Sequence, residues 1–164
     1  MARRYFCNRY TITSFLMFCY SLSFAQSKDK AEKLFVLGKN IIGKTYLFNH
    51  SEKNDYNETK LTYLGVLKTD NGRQFKIMNF CWIWGHSARA TNRILIYDMN
   101  DNYLGNYYLT TVDELPSKIE FNQLIFKVNN DSSKKEVITR LSFKNGIPKS
   151  LYLKDDNIYQ FETD

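Results

Sequence analysis

The sequence predicts a mainly β protein, an antiparallel meander of about eight or nine strands that forms a barrel or sandwich with one N-terminal helix. Three observations predict this class. Short turns rich in Asn, Asp and Gly separate successive apolar runs, and strands joined by such short loops are antiparallel. Two of the runs are apolar on both faces, as in strands that are covered on both sides. Helical periodicity is confined to one segment near the start of the chain.

The first residues are typical of a cleavable signal peptide. Three arginines and no acid precede an apolar run from Ile12 to Leu22, and Ser23-Phe24-Ala25 places small residues before a cut. The run is shorter than the ~20 residues that a membrane-spanning helix needs. We therefore expect residues 1–25 to be removed, which leaves one β-rich domain over residues 26–164, secreted or periplasmic, with no membrane span.

The charge and cysteine content of the mature chain exclude two classes of protein. Loss of the leader's arginines lowers the net charge from +6 to +3, too little for the basic stripe that nucleic-acid binding requires. Nucleic acid is therefore excluded as a partner. Cys7 and Cys19 also leave with the leader, and Cys81 alone cannot form an internal disulfide. We therefore expect the domain to be stabilised by its core and not by a disulfide framework.

The predicted helix spans Lys28 to Asn40. Its apolar residues recur at the spacing of one helical face, and that face consists of Ala31, Leu34, Phe35 and Gly38. Gly43 marks the exit from the helical segment, because glycine accepts the left-handed backbone with which helices commonly end. We expect the apolar face to cover the sheet that follows.

The chain after Gly43 has the composition of strands and turns. The predicted strands are 44–49, 59–69, 74–84, 93–98, 103–109, 124–128, 137–143, 149–153 and 158–161. Asn71-Gly72, between the second and third strands, is the strongest hairpin signal, because the favoured two-residue turn needs a positive φ that these residue types accept. Gly105, by contrast, lies within a predicted strand, where we expect alanine to be tolerated.

The second and third strands are apolar on both faces. In the third strand, alternate positions give the sets Phe75, Ile77, Cys81, Ile83 and Met78, Phe80, Trp82, Trp84. In the second strand, they give the sets Leu61, Tyr63, Leu67 and Leu64, Val66. We therefore expect both strands to be central, with a second sheet or barrel wall on one side and the helix on the other.

One segment is similar to a catalytic motif. Gly85-His86-Ser87-Ala88-Arg89 resembles the nucleophile elbow of α/β-hydrolases, in which a serine lies on a strained turn after a strand. Arg89 replaces the last glycine of that motif, and no histidine follows the serine to act as the base. We therefore interpret the segment as a polar loop and predict no enzymatic activity. A small hydrolase stays an alternative only through carboxylates that converge from separate strands.

The sequence contains no strong metal or cofactor motif. His50 and His86 lack the spacing of paired zinc ligands. Asp98-Met-Asn-Asp-Asn102 copies the first ligand positions of an EF-hand loop, but Tyr103 and Leu109 stand where the bend glycine and the bidentate glutamate belong. A hairpin turn explains this segment, because Asp and Asn favour turns. We predict neither a metal nor a cofactor.

The candidate ligand-binding residues lie at the end of the third strand. Phe80, Trp82 and Trp84 share one face, and we expect Phe80 and Trp82 to belong to the core. Trp84 abuts a polar loop that carries His86 and Arg89, so these two residues and Trp84 are predicted to line the mouth of a binding pocket. On this interpretation, truncation of Trp82 lowers the stability more than truncation of Trp84 does.

These features predict an exported non-enzymatic binding or interaction module, whose partner is an unidentified protein or small ligand. The first alternative is a lipocalin-like barrel that holds an apolar or sugar ligand, and Gly43-Lys-Thr-Tyr46 resembles the opening of such barrels over four residues. A packed centre with an exposed apolar patch favours the binding module. A roomy apolar cavity favours the barrel, and two carboxyls facing each other in a cleft favour the small hydrolase.

Overall fold

The computed structural model describes residues 28–53, 55–130, 135–153 and 157–163. The predicted signal peptide, residues 1–25, lies outside these residues. The chain divides into two compact units, Met1–Phe35 and Val36–Asp164. The described part of the first unit is the helix α1, which covers residues 28–39 and continues into the second unit. In the part of the chain that the structure describes, no helix is both long and apolar enough to cross a membrane.

The second unit consists mainly of antiparallel strands, which confirms the predicted fold class. The strands are β1 (Thr45–Asn49), β2 (Tyr56–Lys68), β3 (Gln74–Gly85), β4 (Arg89–Tyr97), β5 (Tyr103–Leu109), β6 (Lys118–Glu120), β7 (Gln123–Asn130), β8 (Lys135–Ser142), β9 (Ser150–Tyr152) and β10 (Ile158–Glu162). A single 3₁₀ turn, Val112–Glu114, occurs among these described elements. The predicted strands all exist, whereas β6 was not predicted.

The strands form two sheets, and the larger one is open. Its order is β1-β2-β3-β4-β5-β10-β9, and the smaller sheet has the order β6-β7-β8. The architecture is therefore a sandwich and not a closed barrel. Consecutive strands pair as predicted from β1 to β5, from β6 to β8 and between β9 and β10. The meander is interrupted after β5, because β10 and not β6 pairs with β5.

The 3₁₀ turn explains why the chain leaves the larger sheet after β5. Glu114 is buried, and its carboxylate accepts a hydrogen bond of 2.8 Å from the backbone N–H of Thr111. The same carboxylate accepts a hydrogen bond of 2.8 Å from the hydroxyl of Tyr159 in β10. The Glu114 side chain therefore caps the 3₁₀ turn that follows β5. It also binds β10, the strand that pairs with β5 in the larger sheet.

The space between the two sheets is filled by a continuous apolar core. Its largest members come from both sheets and include Ile77, Ile96, Tyr107, Leu109, Leu124, Phe126 and Phe143, each with an exposed fraction of zero. The hydroxyl of Tyr107 donates a hydrogen bond to the backbone carbonyl of Pro148, and burial raises the pKa of this hydroxyl. The second sheet thus supplies one of the two covers predicted for β2 and β3.

A second apolar cluster lies on the other face of the larger sheet. It contains Leu61 and Tyr63 of β2, Met78 and Phe80 of β3, Leu95 and Tyr97 of β4, and Val36 and Leu37 of α1. The burial of both faces of β2 and β3 is therefore confirmed. The predicted helix face is wrong, because Ala31, Leu34, Phe35 and Gly38 are all exposed. The buried residues of α1 are Val36 and Leu37 in its last turns.

A β-bulge in β2 changes which side chains share a face. Tyr63 pairs with Met78 and Gly65 pairs with Ile77, so Leu64 is an extra residue without a partner opposite. Gly65 adopts a φ of 118°, which favours glycine at this bulge. The predicted grouping of Leu67 with Leu61 and Tyr63 is therefore wrong, because beyond the bulge Leu67 belongs to the core between the sheets.

Candidate functional site

The strands β2, β3 and β4 extend beyond the second apolar cluster and carry polar and aromatic side chains there. Trp82 lies opposite Thr59 and Thr91, and Trp84 lies opposite Asn57 and Arg89. Directly opposed residues in antiparallel strands share one side of the sheet. We call this surface the aromatic face and define it as Asn57, Thr59, Trp82, Trp84, Arg89, Thr91, Arg93 and Tyr108.

The two tryptophans are at the surface and not in the core. Trp82 is 37% exposed, so the prediction that it belongs to the core is wrong, whereas Phe80 is buried as predicted. The physical reason is the extent of the cover, because in β3 the second apolar cluster ends at Phe80. Trp84 is half-buried. The buried hydroxyl residues Thr59 and Thr91 flank Trp82 on the two neighbouring strands.

The indole rings are fixed by hydrogen bonds to neighbouring strands. The Nε1–H of Trp82 donates to Oδ1 of Asn57 at 3.1 Å, and the Nε1–H of Trp84 donates to Oγ1 of Thr91 at 3.2 Å. The ring centroids lie 5.6 Å apart with an angle of 28° between the planes, so the rings are stacked. Because both polar edges are satisfied within the sheet, the apolar surfaces are held in place before any ligand arrives.

Two arginines lie over rings of the aromatic face. The guanidinium of Arg89 lies 5.7 Å from the ring centroid of Trp84, and that of Arg93 lies 5.6 Å from the ring centroid of Tyr108. Contacts of this length are within the range of cation–π attraction. Within the described ranges, neither arginine forms an ion pair with a carboxylate. The face also has no Asp or Glu at any of its positions.

His86 is positioned apart from the other two predicted site residues. It lies in the turn between β3 and β4, its side chain is 80% exposed, and its Nδ1 is 3.8 Å from Oδ1 of Asp55. It borders an open cleft of about 720 Å³ whose other lining residues are Ser51, Glu52, Asp55, Tyr56 and Glu58. The structure thus brings Trp84 and Arg89 together and places His86 in a neighbouring, acidic cleft.

The loop that copies the start of an EF-hand is a self-contained turn. One carboxylate oxygen of Asp98 accepts hydrogen bonds from the backbone N–H groups of Asn100 and Asn102, and the other accepts one from the Asn102 amide. The Asn102 hydrogen bonds hold the pKa of Asp98 below its usual value. Asp101 pairs with Lys76 at 2.6 Å. Over the described residues, no three His, Cys, Asp or Glu side chains are grouped to hold a metal ion.

The predicted site contains two members of the aromatic face, Trp84 and Arg89, and omits six, namely Asn57, Thr59, Trp82, Thr91, Arg93 and Tyr108. The signal that could have found two of them is the short turn after β3. Counting outward from Gly85–Ala88 places Thr91 opposite Trp82 and Arg93 opposite Phe80, as the structure does. Cys81 lies on the opposite side of β3, so its thiol is not part of the aromatic face. The thiol is buried, and burial raises its pKa.

Comparison of the chain with protein-family models, with curated proteins and with solved structures finds no match. The geometry of the aromatic face and of the acidic cleft is therefore the basis for the function proposed below.

Proposed function

We propose that the chain is an exported non-enzymatic binding module whose contact surface is the aromatic face. The observation that carries this proposal is the stacked pair of Trp82 and Trp84, which is partly exposed yet held in one orientation by hydrogen bonds. A fold gains little stability from a large apolar side chain that it leaves in water. Fixed, exposed indole rings are instead suited to contact with a partner.

The packed interior supports a surface site and argues against a site in a cavity. The core between the sheets is filled by side chains with an exposed fraction of zero, among them Tyr107, Phe126 and Phe143. The lipocalin-like alternative needs a roomy apolar interior at this position. The acidic cleft beside His86 is open, and Glu52 and Asp55 are solvent-exposed, so it offers less support for the hydrolase alternative.

The size of the aromatic face favours a small or linear ligand over a protein. A stable protein interface buries roughly 800 Å² on each partner, far more than two partly exposed indole rings provide. A sugar ring fits such a surface, because its C–H groups carry slight positive charge and the face of an indole ring is negative. We therefore propose a carbohydrate as the ligand and propose that binding involves no covalent chemistry.

We expect Trp84→Ala and Trp82→Ala each to weaken carbohydrate binding at least tenfold, because each removes half of the stacked pair. The measurement is the binding of the purified domain to an array of immobilised oligosaccharides, followed by calorimetry with the best soluble binder. Tyr152→Ala is the matched control, because Tyr152 is 62% exposed on β9 of the same sheet but outside the aromatic face. A folded Trp84→Ala protein that binds as the parent does would refute the proposed surface.

We also propose that the protein is secreted or periplasmic, and we expect the exported form to begin at Gln26. The intact mass of the protein recovered from the periplasm or the culture medium of an expressing bacterium measures this. Ala25→Tyr places a large residue at the last position before the cut and should prevent cleavage. The variant should therefore be recovered with the mass of its own uncleaved precursor. Recovery of exported wild-type protein that still contains residues 1–25 would contradict the prediction.

A further inference from the structure

The charges on the aromatic face indicate which class of carbohydrate it binds. Resting on the function proposed above, we infer that the ligand is an acidic oligosaccharide, one whose sugar rings carry carboxylate groups. Three features support this assignment: two arginines without an acidic partner in the described chain, the placement of the acidic cleft on the other side of the sheet, and the spacing of the arginines along β4.

The arginines have charge and hydrogen-bonding capacity that the described protein does not use. Arg89 and Arg93 each stack on an aromatic ring, and neither pairs with a carboxylate in the described chain. A guanidinium that rests on a ring keeps its N–H edge for a planar anion, and a carboxylate accepts two parallel hydrogen bonds from that edge. The Nε of Arg93 is buried and has no hydrogen-bond partner among the described atoms.

Acidic side chains near this end of the sheet lie on the opposite side. Glu58 pairs with Ile83, which lies between Trp82 and Trp84 in β3. Successive side chains of a strand point to opposite faces, so the Glu58 side chain is directed away from the aromatic face. It lines the acidic cleft together with Glu52 and Asp55. An anionic ligand is therefore repelled from the acidic cleft and attracted to the aromatic face. The two sides of the sheet thus favour ligands of opposite charge at this end.

The positions of the arginines favour an oligosaccharide over a single sugar. Arg89 and Arg93 are four residues apart on β4, which corresponds to roughly 13 Å along a strand. Thr91 lies between them, and Trp82 lies opposite Thr91. One sugar ring cannot contact both guanidinium groups, whereas a chain of sugars running along β4 can place rings on the tryptophans and carboxylates on both arginines.

Single-stranded nucleic acid is the competing anionic ligand, since it also stacks on aromatic rings. Binding of that kind uses a groove of basic residues that follows many phosphates, and its affinity falls steeply with salt. The aromatic face has only two cations, and the mature chain has a net charge of +3. These charges are sufficient for a few carboxylates and favour the acidic carbohydrate.

The test compares each acidic sugar with its own neutral derivative. Oligomers of galacturonate, mannuronate and glucuronate-containing hyaluronan, and the methyl esters of each, are titrated into the domain by calorimetry at low salt. We expect at least one uronate oligomer to bind, and its methyl ester to bind at least tenfold more weakly. Arg89→Gln should weaken binding of the acid at least tenfold and leave binding of the ester unchanged.

Arg73→Gln is the matched control, because Arg73 also lies over an aromatic ring, 5.3 Å from the centroid of Phe75, but not on the aromatic face. Melting temperatures establish that each variant is folded. Equal affinity for acid and ester, or an affinity that Arg89→Gln does not change, would overturn the inference. So would binding of oligothymidylate in preference to the uronates.

The outcomes separate this inference from the proposed function. Binding of neutral oligosaccharides alone, lost in Trp84→Ala, would overturn the acidic ligand and retain the carbohydrate-binding surface. No binding of any carbohydrate, neutral or acidic, would overturn both.

Discussion

Gly105→Ala is expected to lower the free energy of unfolding by roughly 2–5 kcal/mol, as the combined cost of backbone strain and overpacking. Gly105 has a φ of 148°, and a Cβ built there would collide with the backbone carbonyl of Glu162. It would also approach the ring of Phe161 to 2.5 Å. Because one obstacle is backbone from β10, the structure cannot relieve the overlap by moving a flexible side chain. Denaturant melts of the variant measure the loss.

Gly72→Ala is the control for the strain term. Gly72 also has a positive φ, 83°, but a Cβ there has open space around it, so we expect a loss of only ~1–2 kcal/mol. This order reverses the expectation from the sequence, which treats Gly105 as an ordinary strand residue. Equal denaturation midpoints for the two variants would show that β10 does not pack on β5 as described.

Phe126→Ala should lower the free energy of unfolding by ~3–5 kcal/mol, the usual cost of removing a buried phenylalanine ring. Phe126 lies on β7 with an exposed fraction of zero and belongs to the core between the two sheets. A cavity there removes contacts with both sheets, and the surrounding backbone cannot collapse to fill it. The loss is measured by urea denaturation of the variant and the parent, from the midpoint and from the slope of the unfolding free energy with urea concentration.

Trp82→Ala is the informative comparison, because Trp82 is the larger residue but is 37% exposed. We expect it to cost only ~1–2 kcal/mol. A loss as large as that of Phe126→Ala would mean that Trp82 supports the fold, and it would remove the main argument for a binding surface.

The features predictable from the sequence are those that depend on neighbours along the chain. Asn71-Gly72 marks the hairpin of β2 and β3, but the turn runs from Thr69 to Gly72, and only Gly72 of the predicted pair has a positive φ. The apolar residues on both faces of β3 indicate that the strand is covered on both sides. The short turn after Gly85 brings Arg89 opposite Trp84. Each of these inferences needs only a period, a turn type and a count of residues.

The features that could not be predicted depend on segments distant in the chain or on a break in the period. The bulge at Leu64 shifts the pairing of β2 by one residue, so counting from the pair Lys68–Gln74 places Lys60 and not Thr59 opposite Trp82. The hairpin before β7 turns through Phe121 and Asn122, both with positive φ, and phenylalanine is not a turn signal. The exposure of Trp82 depends on where the second apolar cluster ends on β3, which no local pattern indicates.

The pairing of β5 with β10 has a consequence for the order in which the protein folds. The first five strands pair with their neighbours in the chain, so their contacts close short loops and form rapidly. The edge of β5, however, has its partner in Ile158–Glu162, which is synthesised only after β6 to β9. Until those residues arrive, β5 presents an unpaired edge next to an uncovered core, the state in which β proteins associate wrongly. We therefore expect chains that lack β10 to aggregate more readily than chains that contain it.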